Sequence, residues 1–365
     1  MGAERPKIVV VGCGGIGGVL AARLAAAGAD VSAITHNPDV AKSIAARGLV
    51  AVWDGEFHNH AVPAWATLET RQDSGESSLF DLVLLATPPD AAVAAVHAIE
   101  PALTVEAPIV VLQNGLLEER LSRTFDAERV IGGVVAFGAS MEDPGKVQQT
   151  SNGGITLGRL VHQDEDPVLE WVESLLSVAI PIKRSQNLRG SRWSKLAINC
   201  TISACGAITG ETLGSMLRAR FVRRLALETM TEVVQVALAE GVQLEKVSGT
   251  LDLEWLAMDA DERLRGGSPS MMAKHGVLLA VGAKYRRLRS SLRRAIERGR
   301  TPSVVDLNGE IVERGKRHNI PTPINEALMD AVFSVARGER KANMQTLETV
   351  YEDTRKVLRN LRLVA

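Results

Sequence analysis

Lys195, Asn199 and Ser203 recur four residues apart within Arg192–Ser203, a stretch whose other members are mostly apolar. That spacing stacks the three side chains along one face of a helix. A lysine on so apolar a helix is costly unless it is paired or functional. A desolvated lysine suits proton transfer. The other reading is a lysine that snorkels at a domain edge, and periodicity alone leaves both open. A second constellation is Gly12-Cys13-Gly14-Gly15-Ile16-Gly17. Placed between a strand and a helix, it is the phosphate-binding fingerprint of a dinucleotide fold. Gly12 permits the tight turn, Gly14 lets the backbone approach a pyrophosphate, and Gly17 lets the helix pack on the sheet. Cys13, Gly15 and Ile16 complete the loop, whose helix N-terminus offers N–H groups and a positive dipole end.

The elements that must hold these residues follow from pattern. Lys7–Val11, Val31–Thr35, Asp81–Ala86, Ile109–Leu112 and Val130–Phe137 are short apolar runs of strand type. Gly153–Leu157 is a further late strand. Val19–Ala27, Asp39–Ala46 and Asp90–Ile99 fall between them with helical character. This alternation predicts a parallel, doubly wound α/β sheet of Rossmann type. Beyond about residue 185 the strand-like runs stop. Ser194–Ala204, Phe221–Glu240, Gly276–Glu297, Asp306–His318 and Asn343–Leu363 read as helices. The expectation is an α/β dinucleotide-binding domain over 1–185 and an all-α substrate domain over 186–365.

The end of the second strand selects the cofactor. NAD sites place an acid there, on the ribose hydroxyls. Here the residues are Thr35-His36-Asn37. With no carboxylate to repel a 2′-phosphate, NADP is favoured over NAD, and His36 joins the candidate cofactor residues.

Composition bounds the rest. The chain has 365 residues, 45% hydrophobic and 23% charged, which excludes a disordered, collagen-like or coiled-coil protein. The net charge of −1 hides an asymmetry. Residues 1–185 carry 13 Lys and Arg against 23 Asp and Glu, and residues 186–365 carry 29 against 20. Three cysteines, Cys13, Cys200 and Cys205, are too few and too scattered for a disulfide scaffold or a zinc site. No apolar run is long enough for a membrane span, and no cleavable leader is evident. A cytoplasmic protein without membrane or metal is expected.

The motifs, in order, resemble those of the ketopantoate reductase (2-dehydropantoate 2-reductase) family. They are the Gly12–Gly17 loop, Gln113-Asn114-Gly115, and Gly138 to Pro144-Gly145. Trp193–Cys200, Arg289-Ser290-Ser291-Leu292, Asp306-Leu307-Asn308-Gly309 and Asn319–Pro323 follow. The resemblance spans nearly the whole chain. It implies a Rossmann domain followed by an all-α domain of the 6-phosphogluconate dehydrogenase C-terminal type. It implies NADPH-dependent reduction of a 2-keto acid, in the family ketopantoate during pantothenate synthesis. It makes Lys195 the catalytic lysine and places Asn114 beside nicotinamide and substrate carbonyl. It makes Asn199 and Ser291 substrate-binding residues, on a monomer or homodimer. Three positions depart from the family pattern. Ser303 stands where the family has a glutamate that binds the substrate's hydroxyl end. Ser203 replaces a substrate-binding asparagine, and Pro88 replaces a lysine. The hydride-transfer residues are thus intact while the substrate shell, including Ser203 and Ser303, is altered. Glu310 or Asp306 is the candidate replacement for the missing carboxylate.

Lys284–Arg300 holds eight cationic residues and one acid, Glu297. Nucleic-acid binding is one reading, but Tyr285 is the only aromatic there and no nucleic-acid motif is present. An anion-facing helix and a solvated or interdomain face are the others. Three functions compete: a 2-keto acid reductase, an opine or 3-hydroxy acid dehydrogenase, and a non-catalytic NADP-binding sensor. Lys195 and Asn114 favour an enzyme.

Overall fold

The computed structural model describes residues 5–246, 251–264 and 268–364. Two compact units emerge from the contacts, Met1–Leu188 and Arg189–Ala365.

The first unit contains twelve strands among its described residues. They are β1 (Lys7–Val11), β2 (Asp30–Ile34), β3 (Leu49–Trp53), β4 (Glu56–His60), β5 (Ala64–Trp65) and β6 (Leu82–Leu85). β7 (Ile109–Val111), β8 (Val130–Val135), β9 (Gly138–Asp143), β10 (Lys146–Ser151), β11 (Ile155–Gly158) and β12 (Ile182–Arg184) follow. Eight form one sheet in the order β12-β11-β8-β7-β6-β1-β2-β5. From β5 to β8 this is the doubly wound order of a Rossmann domain, with its switch point between β1 and β6. The β-branched and leucine-rich runs of β1, β6 and β7 are buried because helices cover both faces. The sheet is not wholly parallel, as alternation alone suggests. β11 runs antiparallel to β8, reached by an excursion too short in helix for a crossover.

That excursion, β9 and β10, joins the earlier β3 and β4 in a second sheet, β4-β3-β10-β9, that the sequence pattern did not announce. Its β3–β4 hairpin turns at Asp54 and Gly55, both at positive φ, as a two-residue hairpin loop requires. The glycine-loop helix, Gly15–Ala26, starts four residues before the first periodic apolar position, Val19. Glycines 15, 17 and 18 hide that start by carrying no side chain to read. A Cβ on Gly15 would lie 2.9 Å from the Ala139 backbone, and one on Gly18 2.6 Å from Val147. The small sheet therefore packs directly on the helix backbone.

The second unit is helical throughout its described residues. Its centre is Arg220–Ala239, buried on all sides through Leu225, Leu227, Val233 and Val236. The expected continuous helix Gly276–Glu297 is two helices, Pro269–Lys284 and Ser291–Glu297. The reason is backbone pairing: the Leu288 carbonyl accepts from Leu213 N–H at 2.9 Å, so it cannot serve a helix. Ser290 then caps the next helix, accepting from Arg293 N–H at 3.1 Å. The expected helix from Asp306 opens as a π-helical turn, Val305–Gly309, before Glu310–Arg317.

Candidate active site

In the first unit, the glycine loop leaves β1 at the switch point. Gly12, at φ 96°, passes so close to the next strand's end that a Cβ would meet Thr87 N at 2.6 Å. Gly17 is equally constrained, with a Cβ only 2.2 Å from the Gly12 carbonyl oxygen. Gly14 differs. A Cβ there would meet nothing within 4 Å, and no side chain caps the helix that follows it. Open space beside uncapped first-turn N–H groups fits a pyrophosphate. Cys13 turns its thiol into the core, where burial pushes its pKa up to about 12. It contributes backbone, not chemistry. Cys200 and Cys205 are likewise buried, free and raised by burial.

His36 is exposed at the end of β2, and Thr35 beside it is buried. Asn37 has a structural task. Its side chain caps the helix Pro38–Arg47, accepting from Asp39 N–H at 2.9 Å. No carboxylate stands among these three residues. Asn114 is exposed in the turn after β7, between buried Gln113 and Gly115 at φ 94°. Gln113 donates to the Thr87 hydroxyl at 3.2 Å, tying the ends of β6 and β7 together. Because β1, β6 and β7 are parallel neighbours, Gly12, Thr87 and Asn114 share the carboxyl edge of the sheet. That edge at the switch point is where ligands of open α/β sheets bind.

In the second unit, the helix Leu188–Thr209 carries Lys195 and Asn199. Trp193, Leu196, Ala197 and Cys200 are buried, while Ser191, Lys195, Ile198, Asn199 and Ile202 form a half-covered stripe. Lys195 and Asn199 thus lie one turn apart on the accessible face of an otherwise core helix. Ser203 is buried and lies off that stripe's centre.

Two segments are tied to this stretch of helix. Ser290 donates its hydroxyl to the Ser203 carbonyl at 2.6 Å, and Gly206 leaves it room, since a Cβ there would lie 2.7 Å away. Ser291, exposed, is the next residue. Asn308 donates to the Cys200 carbonyl and to Asn325 Oδ1, both at 3.0 Å. Ser303, half-buried, precedes it by one π turn. Asn199, Ser203, Ser291 and Ser303 are therefore borne on segments bonded to two adjacent turns of one helix.

Beneath them lies a buried carboxylate that pattern reading missed. Glu232, fully buried on the central helix, accepts from Ile324 N–H at 3.0 Å, Asn325 N–H at 2.9 Å and Asn325 Nδ2 at 2.8 Å. Burial outweighs these bonds and pushes its pKa up to about 7. The only signal in sequence was an acid inside an apolar helix. Glu310, one candidate for the missing carboxylate, is engaged by Arg314 at 2.7 Å. Arg314 also pairs with Glu240 at 3.0 Å and covers the Trp193 ring.

No helix among the described residues is long and apolar enough to cross a membrane, and no group of His, Cys, Asp and Glu among them could hold a metal ion.

Comparison with known proteins agrees with this architecture. The family model "Ketopantoate reductase PanE/ApbA" matches residues 8–162, and its C-terminal counterpart matches 187–335. A 2-dehydropantoate 2-reductase of Mesorhizobium japonicum is 26% identical over 91% of this chain and 99% of its own. The crystal structure of a PanE/ApbA family ketopantoate reductase from Ralstonia eutropha is 26% identical and superposes with a TM-score of 0.74, over 91% of this chain and 99% of that one. D-mandelate dehydrogenase, solved with NADH and anilino(oxo)acetate, shares the fold at 18% identity and TM-score 0.76, with the same coverage. The resemblance expected from the motifs and the α/β-plus-helical fold class both hold, and the chain belongs to the ketopantoate reductase family of nicotinamide-dependent oxidoreductases.

Proposed function

We propose that this protein reduces a 2-keto acid to a 2-hydroxy acid with NADPH, ketopantoate to pantoate being the first candidate. The observation that carries the reading is the Lys195–Asn199 pair, one turn apart on the accessible stripe of a buried helix, in a chain of this family. The Rossmann unit would hold the dinucleotide through the backbone of Gly12–Gly17, with His36 near the ribose and Asn114 near the nicotinamide. A dihydronicotinamide, when bound there, would supply the hydride for the substrate's carbonyl carbon. Lys195 donates a hydrogen bond to the keto oxygen and then its proton, as negative charge grows there. A cation placed where charge develops stabilises the transition state more than the ground state. Asn199, Ser203, Ser291 and Ser303 orient the carboxylate and the rest of the substrate. The absence of an acid at Thr35–Asn37 supports NADPH over NADH.

A second reading has the same chemistry on a different 2-keto acid. Ser303 supports it, because the serine cannot bind a substrate hydroxyl as a glutamate would, and Glu310 is already paired with Arg314. The test is NADPH oxidation with a panel of 2-keto acids including ketopantoate. Wild type should turn over at least one member and Lys195→Ala should not. Full activity in Lys195→Ala would sink the mechanism. Preference for an aryl or aliphatic keto acid without a hydroxyl would establish the second reading.

A further inference from the structure

The central helix Arg220–Ala239, Pro269–Lys284 and Met344–Val364 border a cavity of about 380 Å³ that the proposed reaction does not use. Three arginines line it, Arg220, Arg224 and Arg355. One acid answers them. Arg224 and Arg355 share a single oxygen of the fully buried Glu228, at 2.7 and 3.1 Å. The other nitrogens of Arg224 donate to the carbonyls of Glu262 and Arg263. Arg220 has no side-chain partner among the described residues and is exposed at the rim. The cavity wall therefore carries two positive charges that no acid among the described residues neutralises. His275 also lines the cavity. Its Nδ1 is buried without a hydrogen-bond partner among the described residues. Burial, then Arg223, Arg220 and Arg224, lowers its pKa. Phe221 and Met271 supply apolar wall beside these groups.

Guanidinium forks match the oxygens of a phosphate, and two uncompensated charges match a dianion better than a monoanion. The volume falls at the small end of ligand pockets. We propose that this cavity is a second ligand site, for a small phosphomonoester. Arg220 and Arg355 take the phosphate, and Phe221 and Met271 cover the organic group. None of these residues belongs to the proposed catalytic set, so the site is a place for control by a phosphorylated metabolite.

The test is calorimetric titration of the whole protein with phenyl phosphate, inorganic phosphate and benzoate. Phenyl phosphate should bind saturably at one site, with inorganic phosphate and benzoate each weaker by about tenfold or more. Arg220→Ala should weaken phenyl phosphate by about tenfold and Arg220→Lys by less, since the charge remains. Arg220 is exposed, so its loss leaves the fold and the keto-acid turnover unchanged. Lys195→Ala should bind phenyl phosphate as wild type does. Absence of saturable binding, or equal binding in Arg220→Ala, overturns the proposal. So does binding lost in Lys195→Ala, which would put the anion in the active site. Benzoate binding tighter than phenyl phosphate overturns the assignment to phosphate.

Discussion

Exchanging Lys195 for alanine removes the proposed proton donor from a helix that is otherwise held by its buried face. Loss of a general acid costs about 10²- to 10⁴-fold in rate. The expected result is a fall of that order in kcat, with NADPH affinity, measured by fluorescence titration, unchanged. Ser303→Glu is the complementary gain. It restores a carboxylate where the family has one, so kcat/KM should shift toward a hydroxylated keto acid over an unhydroxylated one. Gly14 and Gly17 make a matched pair. Gly17→Ala places a methyl group 2.2 Å from a carbonyl oxygen and should unfold the first unit or lower its melting temperature sharply. Gly14→Ala meets nothing and needs no unusual φ. It should keep the wild-type melting temperature while weakening NADPH, because the methyl group enters the space proposed for the pyrophosphate. Gly17 was legible in sequence because the close approach of helix and strand leaves no room for a Cβ, and Gly14 through the spacing of the motif. Glu232 was not legible, since its partners come from Ile324 and Asn325, which only the fold brings near.

The network from Glu232 through Asn325 and Asn308 to the Cys200 carbonyl joins the central helix to the one bearing Lys195. Asn308→Ala leaves the Asn325 side-chain oxygen without that donor. An unsatisfied buried group costs about 1–3 kcal/mol, and chemical denaturation should show a loss of that size. The pH dependence has a definite sign. In the folded protein Glu232 holds its proton up to about pH 7, whereas the unfolded chain releases it in the ordinary carboxylate range. The folded state therefore binds more protons between these limits, and stability falls as pH rises through that window. Glu232→Gln should flatten that slope in urea titrations across pH 4.5–7. The strands of the large sheet were legible because burial on both faces demands continuous apolar runs. The small sheet was not. Its β4, Glu56–His60, and β10, Lys146–Ser151, are half-exposed and mostly polar. The helix Pro167–Ser177 carries its own local signal, Asp166 and Pro167 forming an N-cap and first turn, with Asp166 accepting from Leu169 N–H at 2.8 Å. The break after Lys284 depends on pairing with Leu213, a tertiary bond that local pattern cannot express.

Across the whole molecule, an acidic stretch before residue 185 precedes a basic one, and the contacts divide the chain at Leu188–Arg189. That division falls at the first turn of the Lys195 helix, not in a Gly- or Pro-rich linker. Ligand binding should raise thermal stability by mass action. At equal concentration NADPH should raise the melting temperature more than NADH, as a calorimetric scan would show. An equal or larger effect of NADH would overturn the assignment drawn from Thr35–Asn37. The small sheet has a consequence for biosynthesis. Its two hairpins are roughly a hundred residues apart in the chain, and β3 pairs in parallel with β10. A ribosome that has released only the first half of the unit has already made the glycine loop and its helix. It has not yet made Ala139 and Val147, which cover Gly15 and Gly18. The nascent Rossmann unit must therefore wait for Ser151 to emerge before that helix face is sealed. Until then the glycine loop is complete in sequence and incomplete in packing.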